Sequence, residues 1–286
     1  MSKKNPSGAE GPGAARREEI RQQEQRLQRR MASVAHTVVV LSGKGGVGKS
    51  TVAANLAAAL AAAGKRVGLL DADMHGPSIP RMFGLQGKPA SSDGESILPV
   101  PYNERLKVMS IGFLLQTQKD AVIWRGPLKM SVLRQFLSDV EWGELDYLIL
   151  DLPPGTGDEP LSVAQLLPNA DGGILVTTPQ EVALSDVRRC VDFCNKINLR
   201  VLGVVENMSG FICPHCGERS DIFGTDGGEM MAAEMEVPFL ARVPLDPAVM
   251  HSCEDGGPLV EQAPDSEPAA ALQTIARAVM DLEQND

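Results

Sequence analysis

Apolar residues in this chain fall into short dense runs, and several of the stretches between them repeat at helical spacing. Residues 37–41 form the first run, rich in β-branched Val, followed at once by a glycine-rich segment and an Ala/Leu-rich stretch to about residue 63. Gly64 and Lys65 then supply the glycine and the cation with which a helix typically stops. Runs at 66–70, 107–111, 147–150, 173–177, 201–205 and 239–243 predict strands, and the patterns of 128–139, 160–167, 182–195 and 228–235 predict helices. Strand runs that are apolar on both faces and alternate with helices belong to a mostly parallel sheet covered by helices on both faces. The predicted class is α/β. Residues 86–105 and 207–227 read as two long irregular insertions, and loops of that length in a compact domain tend to carry function.

Composition adjusts this picture only in places. At 286 residues and 43% apolar, the chain can bury one large α/β core, and with 4% aromatics that core must be packed by Val, Leu, Ile, Ala and Met. The net charge of −10 is unevenly spread: residues 1–35 hold eight basic against four acidic side chains, so the leader is +4 and the remainder −14. An acidic body argues against a nucleic-acid surface, which needs clustered Lys and Arg. The leader reads as flexible and partly helical, disordered over 1–13 and a polar helix over 14–32, with the folded domain spanning 36–286. No stretch reaches the ~18 apolar residues of a membrane span, and no apolar segment follows the charged N-terminus as in a signal peptide. Five cysteines, an odd number without an export signal, point to reduced thiols in the cytoplasm.

The candidate chemistry begins in the glycine-rich segment. Gly43, Lys44, Gly45, Gly46, Val47, Gly48, Lys49, Ser50 and Thr51 fit the pattern G-x-x-x-x-G-K-[ST], with a strand before and a helix after as that pattern requires. Glycines let backbone N–H groups turn inward around phosphate oxygens, and the helix N-terminus adds its positive dipole end. Lys49 is predicted to hold the β- and γ-phosphates of ATP, and the Ser50 hydroxyl to ligate Mg²⁺. Asp71 and Asp73 close the second strand, where a carboxylate can orient the attacking water. Residues 148–150 form an apolar strand ending in Asp151, predicted to hold Mg²⁺ through water. The Gly/Pro loop that follows, with Gly155, lies where a γ-phosphate is sensed.

Lys44 is a second lysine inside the same loop and cannot easily reach its own phosphates alongside Lys49. Here the chain resembles the deviant Walker A (ParA/MinD-like) P-loop NTPases, in which this lysine reaches across a dimer interface. The segment from Trp142 to Asp158 (WGELDYLILDLPPGTGD) is similar to the signature of the Mrp family of iron–sulfur cluster carrier ATPases. Asp73 to Ser78 (DMHGPS), Trp124 to Pro127 (WRGP), Asn207 to Ser209 (NMS) and Pro244 to Pro247 (PLDP) resemble it too, over roughly 36–262. The resemblance implies ATP hydrolysis coupled to holding a [4Fe–4S] cluster and passing it to apo iron–sulfur proteins. It also implies that Asn207, Pro244 and Asp246 lie against the adenine base, and that Lys44, Lys49 and Asp73 carry the catalysis. Residues 1–35 lack the cysteines with which some relatives hold an N-terminal cluster, so any cluster depends on the five further along.

Cys213 and Cys216 stand in a CPHCG knuckle, where Pro fixes a turn and Gly lets N–H groups face the thiolates. That arrangement suits iron or zinc; a dithiol redox pair or an inert pair remains open on the residues alone. Two ligands per chain cannot complete a cubane, so the loop of a second chain would close it, and Lys44 independently asks for the same homodimer. Cys190 and Cys194, four apart on a helix, read as core, Cys253 as a loop thiol after the last strand, and His215 as exposed. Two other functions compete. A positioning ATPase needs a basic face or tail, and this C-terminus ends acidic. A zinc-bridged targeting ATPase needs a Met-rich insertion, of which Met230, Met231 and Met235 form only a short hint.

Overall fold

The computed structural model describes residues 12–74, 76–114, 126–213 and 215–281. The sequence reading of residues 1–11, and the motif residues His75, Trp124, Arg125 and Pro214, lie outside the described residues. In chain order the elements are helix α1 (Pro12–Met31), strand β1 (Val34–Ser42), α2 (Lys49–Ala62), β2 (Val67–Asp71), α3 (Ile79–Met82), and the short strands β3 (Ser91–Ser92), β4 (Ile97–Leu98) and β5 (Val100–Pro101). Then come β6 (Leu106–Ser110), α4 (Gly126–Asp139), β7 (Leu145–Asp151), α5 (Asp158–Leu166), β8 (Gly172–Thr177), α6 (Glu181–Lys196) and β9 (Val201–Ile212). The chain continues through β10 (Arg219–Ser220), α7 (Gly227–Glu234), β11 (Phe239–Leu245), α8 (Pro247–Asp255), α9 (Leu259–Gln262) and α10 (Glu267–Met280).

The main sheet runs β10-β9-β8-β1-β7-β2-β6-β5, with β11 paired to β9. Every pairing among β11, β9, β8, β1, β7, β2 and β6 is parallel; only β10 and β5 join antiparallel. The predicted α/β class holds because the runs that looked apolar on both faces are buried on both: Val38, Val39, Val40, Leu69, Leu70, Leu148, Ile149 and Leu150 are all fully enclosed. Helix α2 has almost no polar face, its residues from Val52 to Ala61 being buried, so it forms a central element of the core. It stops where the sequence said, at Gly64 in the left-handed region, with the Lys65 N–H reaching back to the Leu60 carbonyl at 3.1 Å.

Three expectations change. Helix α1 starts at Pro12, so 12 and 13 are helical, and it packs on α4 with Leu27 buried. Arg30 donates to Ser96 Oγ at 2.7 Å and pairs with Glu141, and Arg26 pairs with Asp139 at 3.4 Å. The 207–227 segment is less irregular than its composition suggests, since β9 runs to Ile212 and turns into β10. Cys253 is in helix α8, not in a loop; Asp246 caps that helix, accepting from the Ala248 N–H at 2.7 Å, and Pro247 occupies its first turn. Helix α10, beyond the elements predicted from sequence, packs on β11 and α2 through a helically spaced apolar stripe of Ala269, Leu272, Ile275, Ala276 and Val279.

Candidate nucleotide and cluster site

Parallel pairing brings the carboxyl ends of β1, β2, β7, β9 and β11 to one edge of the sheet, where open α/β folds bind ligands. The P-loop leaves β1 there. Ser42 Oγ donates to the Lys44 carbonyl at 3.0 Å, and the Gly155 N–H donates to the Ser42 carbonyl at 2.8 Å, which pins the Gly/Pro loop after β7 against the P-loop. Gly48 has φ +85°, and a Cβ on it would meet Asn207 Nδ2 at 2.0 Å. The space is taken because Asn207 Nδ2 donates to the Val47 carbonyl at 2.9 Å. A Cβ on Gly43 would likewise stand 2.5 Å from Asp186 Cβ of α6. The loop is thus clamped from two sides, with Gly45 and Gly46 exposed and Lys44 half-buried at its outer face.

Lys49 is only 6% exposed, and its Nζ contacts Asp151 Oδ1 at 2.5 Å and Ser50 Oγ at 3.2 Å. Asp151 is fully buried, and its Oδ2 has no hydrogen-bond partner. Burial pushes the Asp151 carboxyl up, opposed by the Lys49 ammonium. Asp71 stands directly across the β2–β7 register from Asp151 and is equally buried. It accepts from Ser110 Oγ at 3.0 Å and from the Asp73 N–H at 3.2 Å. Burial first, and the Asp151 charge second, push Asp71 well above the usual carboxylate range. Asp73, one step further, is half-buried and accepts from the Gly76 N–H at 3.3 Å. An unpartnered carboxylate oxygen beside a serine hydroxyl is a hard-oxygen donor set of the kind Mg²⁺ takes.

Beside the P-loop opens a cavity of about 370 Å³. Gly48 and Thr51 form one wall, Ser78, Arg81 and Met82 a second, and Asn207 and Met208 of β9 a third. Pro244, Leu245 and Asp246 at the end of β11, with Val249, Met250, Cys253 and Glu254 of α8, complete it. The structure therefore gathers Asn207, Pro244 and Asp246, which are far apart in sequence, around one pocket next to the phosphate loop.

Cys213 and Cys216 lie on the turn joining β9 to β10. The Cys213 N–H donates to the Glu218 carbonyl at 2.9 Å, and the Gly217 N–H donates to the Cys213 carbonyl at 2.8 Å. Backbone N–H groups of Cys216 and His215, with the Cys216 thiol, hold the Cys213 thiol below its usual range. Cys216 and His215 are exposed. Among the described residues, no group of three His, Cys, Asp or Glu gathers to hold a metal within one chain. Cys190 and Cys194 are buried in α6, where burial lifts their thiols to about 12 and about 11, and burial also raises Cys253.

A family model described as ParA, NUBPL iron-transfer P-loop NTPase, matches residues 33–280. The chain belongs to this family. It is 50% identical over 241 residues to the iron-sulfur cluster carrier protein of Methanocaldococcus jannaschii, covering 84% of this chain and 83% of that protein. To the cytosolic Fe-S cluster assembly factor NUBP2 of Homo sapiens it is 50% identical over 255 residues, covering 88% and 94% respectively. A nucleotide-binding protein from Archaeoglobus fulgidus, solved in complex with ADP, is similar with a TM-score of 0.72 and 41% identity over 82% of this chain and 91% of that one. The cell division ATPase MinD of Pyrococcus furiosus shares the fold at TM-score 0.64 and 24% identity, over 87% and 99%. The resemblance seen in the Trp142 to Asp158 segment thus holds for the whole domain.

In this NUBPL-type NTPase four residues stand out in the structure beyond what the sequence predicted of them. Asp71 ends an apolar strand just as Asp151 does, so the signal was present, but the register that sets the two carboxylates side by side was not. Arg81 and Glu254, on the rim of the pocket, belong to segments with no motif. Glu206 is fully buried at the centre of β9, accepting from Ser209 Oγ at 2.5 Å and from the Asp226 N–H at 3.1 Å, and it anchors the start of α7. Among the described residues, no helix is long and apolar enough to cross a membrane.

Proposed function

We propose that the chain binds and hydrolyses ATP with Mg²⁺ and, as a homodimer, carries one [4Fe–4S] cluster on Cys213 and Cys216 of each subunit for delivery to apo iron–sulfur proteins. The observation that carries the reading is the single edge built by β9. Asn207 on this strand touches the phosphate loop, and Cys213, six residues on, begins the knuckle, at most ~20 Å away along the backbone. The iron-sulfur names of relatives at 50% identity and the ADP in a 41% identical structure support the same reading.

In this reading Lys49 exchanges its contact with Asp151 for the β- and γ-phosphate oxygens of ATP. Mg²⁺ would be held by Ser50 and, through water, by Asp151, and it supplies charge neutralisation at the phosphates. N–H groups of Gly43, Gly45, Gly46, Val47, Gly48 and Thr51 cradle the phosphates, and Gly155 meets the γ-phosphate from the opposite side. Asp73 orients the water that attacks the γ-phosphorus; the β–γ bridging oxygen leaves with ADP, and the water's proton passes to the released phosphate. Lys44 acts on the nucleotide of the partner subunit. Adenine sits in the pocket of Asn207, Pro244 and Asp246; the Asp246 carboxylate is engaged as the cap of α8, so it serves the base by starting that wall.

The cluster is cargo. Two thiolates per chain suit a site shared by two chains, and an exposed Cys216 beside a stabilised Cys213 thiolate suits ligand exchange with an acceptor. Anaerobic incubation of the wild-type protein with iron and sulfide is expected to yield broad sulfide- and thiolate-to-iron absorption and about four irons per two chains. Tight zinc in the protein as isolated, with no uptake of iron and sulfide, would overturn the cluster assignment in favour of a zinc-bridged dimer.

A further inference from the structure

The base pocket has two walls that meet at its mouth. Arg81 and Met82 belong to α3, directly downstream of the loop that carries Asp73; Met250, Cys253 and Glu254 belong to α8. Three separate contacts join these walls beyond the pocket. Arg81 Nη2 meets Glu254 Oε1 at 3.0 Å. The turns that end the two helices touch backbone to backbone: a Cβ on Gly256 would stand 2.8 Å from Gly84 Cα, and one on Gly84 would stand 3.0 Å from the Gly256 oxygen. Both glycines hold positive φ, +60° and +78°, which is how each helix ends without a side chain between them. Phe83 packs edge-on against Tyr102 at 4.7 Å, and the Tyr102 hydroxyl donates to Glu261 of α9 at 2.6 Å.

Both walls are anchored away from the mouth. The α8–α9 corner is fixed to the phosphate-binding helix through Asn55, which is buried: its Oδ1 accepts from the Val260 N–H at 3.1 Å and its Nδ2 donates to the Thr51 carbonyl at 2.9 Å. Helix α3 has four residues and is held by Ile79 and by Phe83 just after it, both enclosed in the core, with the Ile79 N–H donating to Asp71 at 3.4 Å. Widening the mouth therefore means parting the α3 turn from the end of α8 at these contacts, and the α3 side is continuous in sequence with the Asp73 loop.

We infer that the α3 turn and the end of α8 form a clasp over the base pocket, with Arg81 and Glu254 as positioning residues that slow nucleotide release. The inference rests on the nucleotide reading above and adds what governs exchange. It assigns the pair to the clasp and not to the base: Glu254 acts only through Arg81. Because the pair is more than half exposed, at 55% and 59%, its contribution is small and salt-sensitive.

The test is stopped-flow release of methylanthraniloyl-ADP, chased with excess ADP, from the full-length protein. Arg81→Ala and Glu254→Ala are each expected to speed release about two- to fivefold, the range open to an exposed ion pair. The exchanged pair, Arg81→Glu with Glu254→Arg, should return release to the wild-type rate, and about 1 M NaCl should erase most of the differences. Faster release in Arg81→Ala alone would mean that Arg81 acts on the nucleotide itself, and would overturn the clasp. Unchanged release in both single variants, or an exchanged pair as fast as the single variants, would overturn it too. Failure of the wild-type protein to take up the probe would instead sink the nucleotide reading beneath it.

Discussion

Replacing Lys49 with Ala should abolish ATP turnover and weaken nucleotide binding beyond detection by calorimetry, and it should also destabilise the protein. The first effect follows from the only P-loop cation already buried beside Asp151. Losing a preorganised charge on the transferring phosphoryl group costs on the order of 10² to 10³ in rate. The second effect is specific to this structure. Lys49 is the cation next to two fully buried carboxylates, Asp151 and, across the strand register, Asp71. Removing one partner of a buried pair leaves a charge uncompensated, at a cost of roughly 3 to 5 kcal/mol unless the carboxyl takes up a proton. Burial already raises both carboxyls in the wild type, and loss of the ammonium raises them further. A folded carboxyl that sits above its unfolded value binds more protons when folded, so its contribution is present in acid and is lost as pH rises through the folded value. The melting temperature of Lys49→Ala should therefore approach that of the wild type in mild acid and fall away from it towards neutral pH. A gap that widens in acid would contradict this. Lys44→Ala, at the half-buried outer face of the loop, should keep the affinity and the stability and lose turnover.

Cys213→Ala and Cys216→Ala should each reduce reconstituted iron and sulfide to nearly nothing, with ATP hydrolysis retained. The knuckle is the one place where thiols are reachable and electronically prepared. Cys213 has its thiol lowered by N–H groups of the turn, and Cys216 is exposed. The alternatives are chemically poor ligands: Cys190 and Cys194 stay protonated at about 12 and about 11 inside α6. Either knuckle substitution leaves one thiolate per chain, and two thiolates from two chains do not make the four that a cubane takes. Cys190→Ala with Cys194→Ala should accordingly load iron as the wild type does. Undiminished iron in the knuckle double variant would move the cluster elsewhere.

The phosphate site was legible because its information is local. A glycine pattern, a strand before it and a helix after it fix the backbone of residues 43–51, and Asp71 and Asp151 announce themselves as charges ending apolar runs. The knuckle is equally local. What the sequence withheld depends on register and on packing between distant segments. That Asp71 faces Asp151 comes from β2 pairing with β7, elements separated by the whole of α3 to α4. The pocket wall was hidden because α8 looked like a loop, although Asp246 and Pro247 are a good cap and first turn. Strand β9 reaches Ile212 through Met208 at φ +58° and Gly210 at φ +74°, conformations that no apolar pattern announces. The docking of α1 hangs on Leu27 and on ion pairs of Arg30 and Arg26 with residues more than a hundred positions away, which made the leader read as a free tail.

Sharing of one cluster by two chains is tested without any substitution by native mass spectrometry of the anaerobically reconstituted wild-type protein. The expected spectrum contains two chains plus the mass of a single four-iron, four-sulfide unit, and that added mass disappears when the dimer separates into monomers. A monomer carrying a complete four-iron cluster, or a dimer carrying two of them, would contradict it.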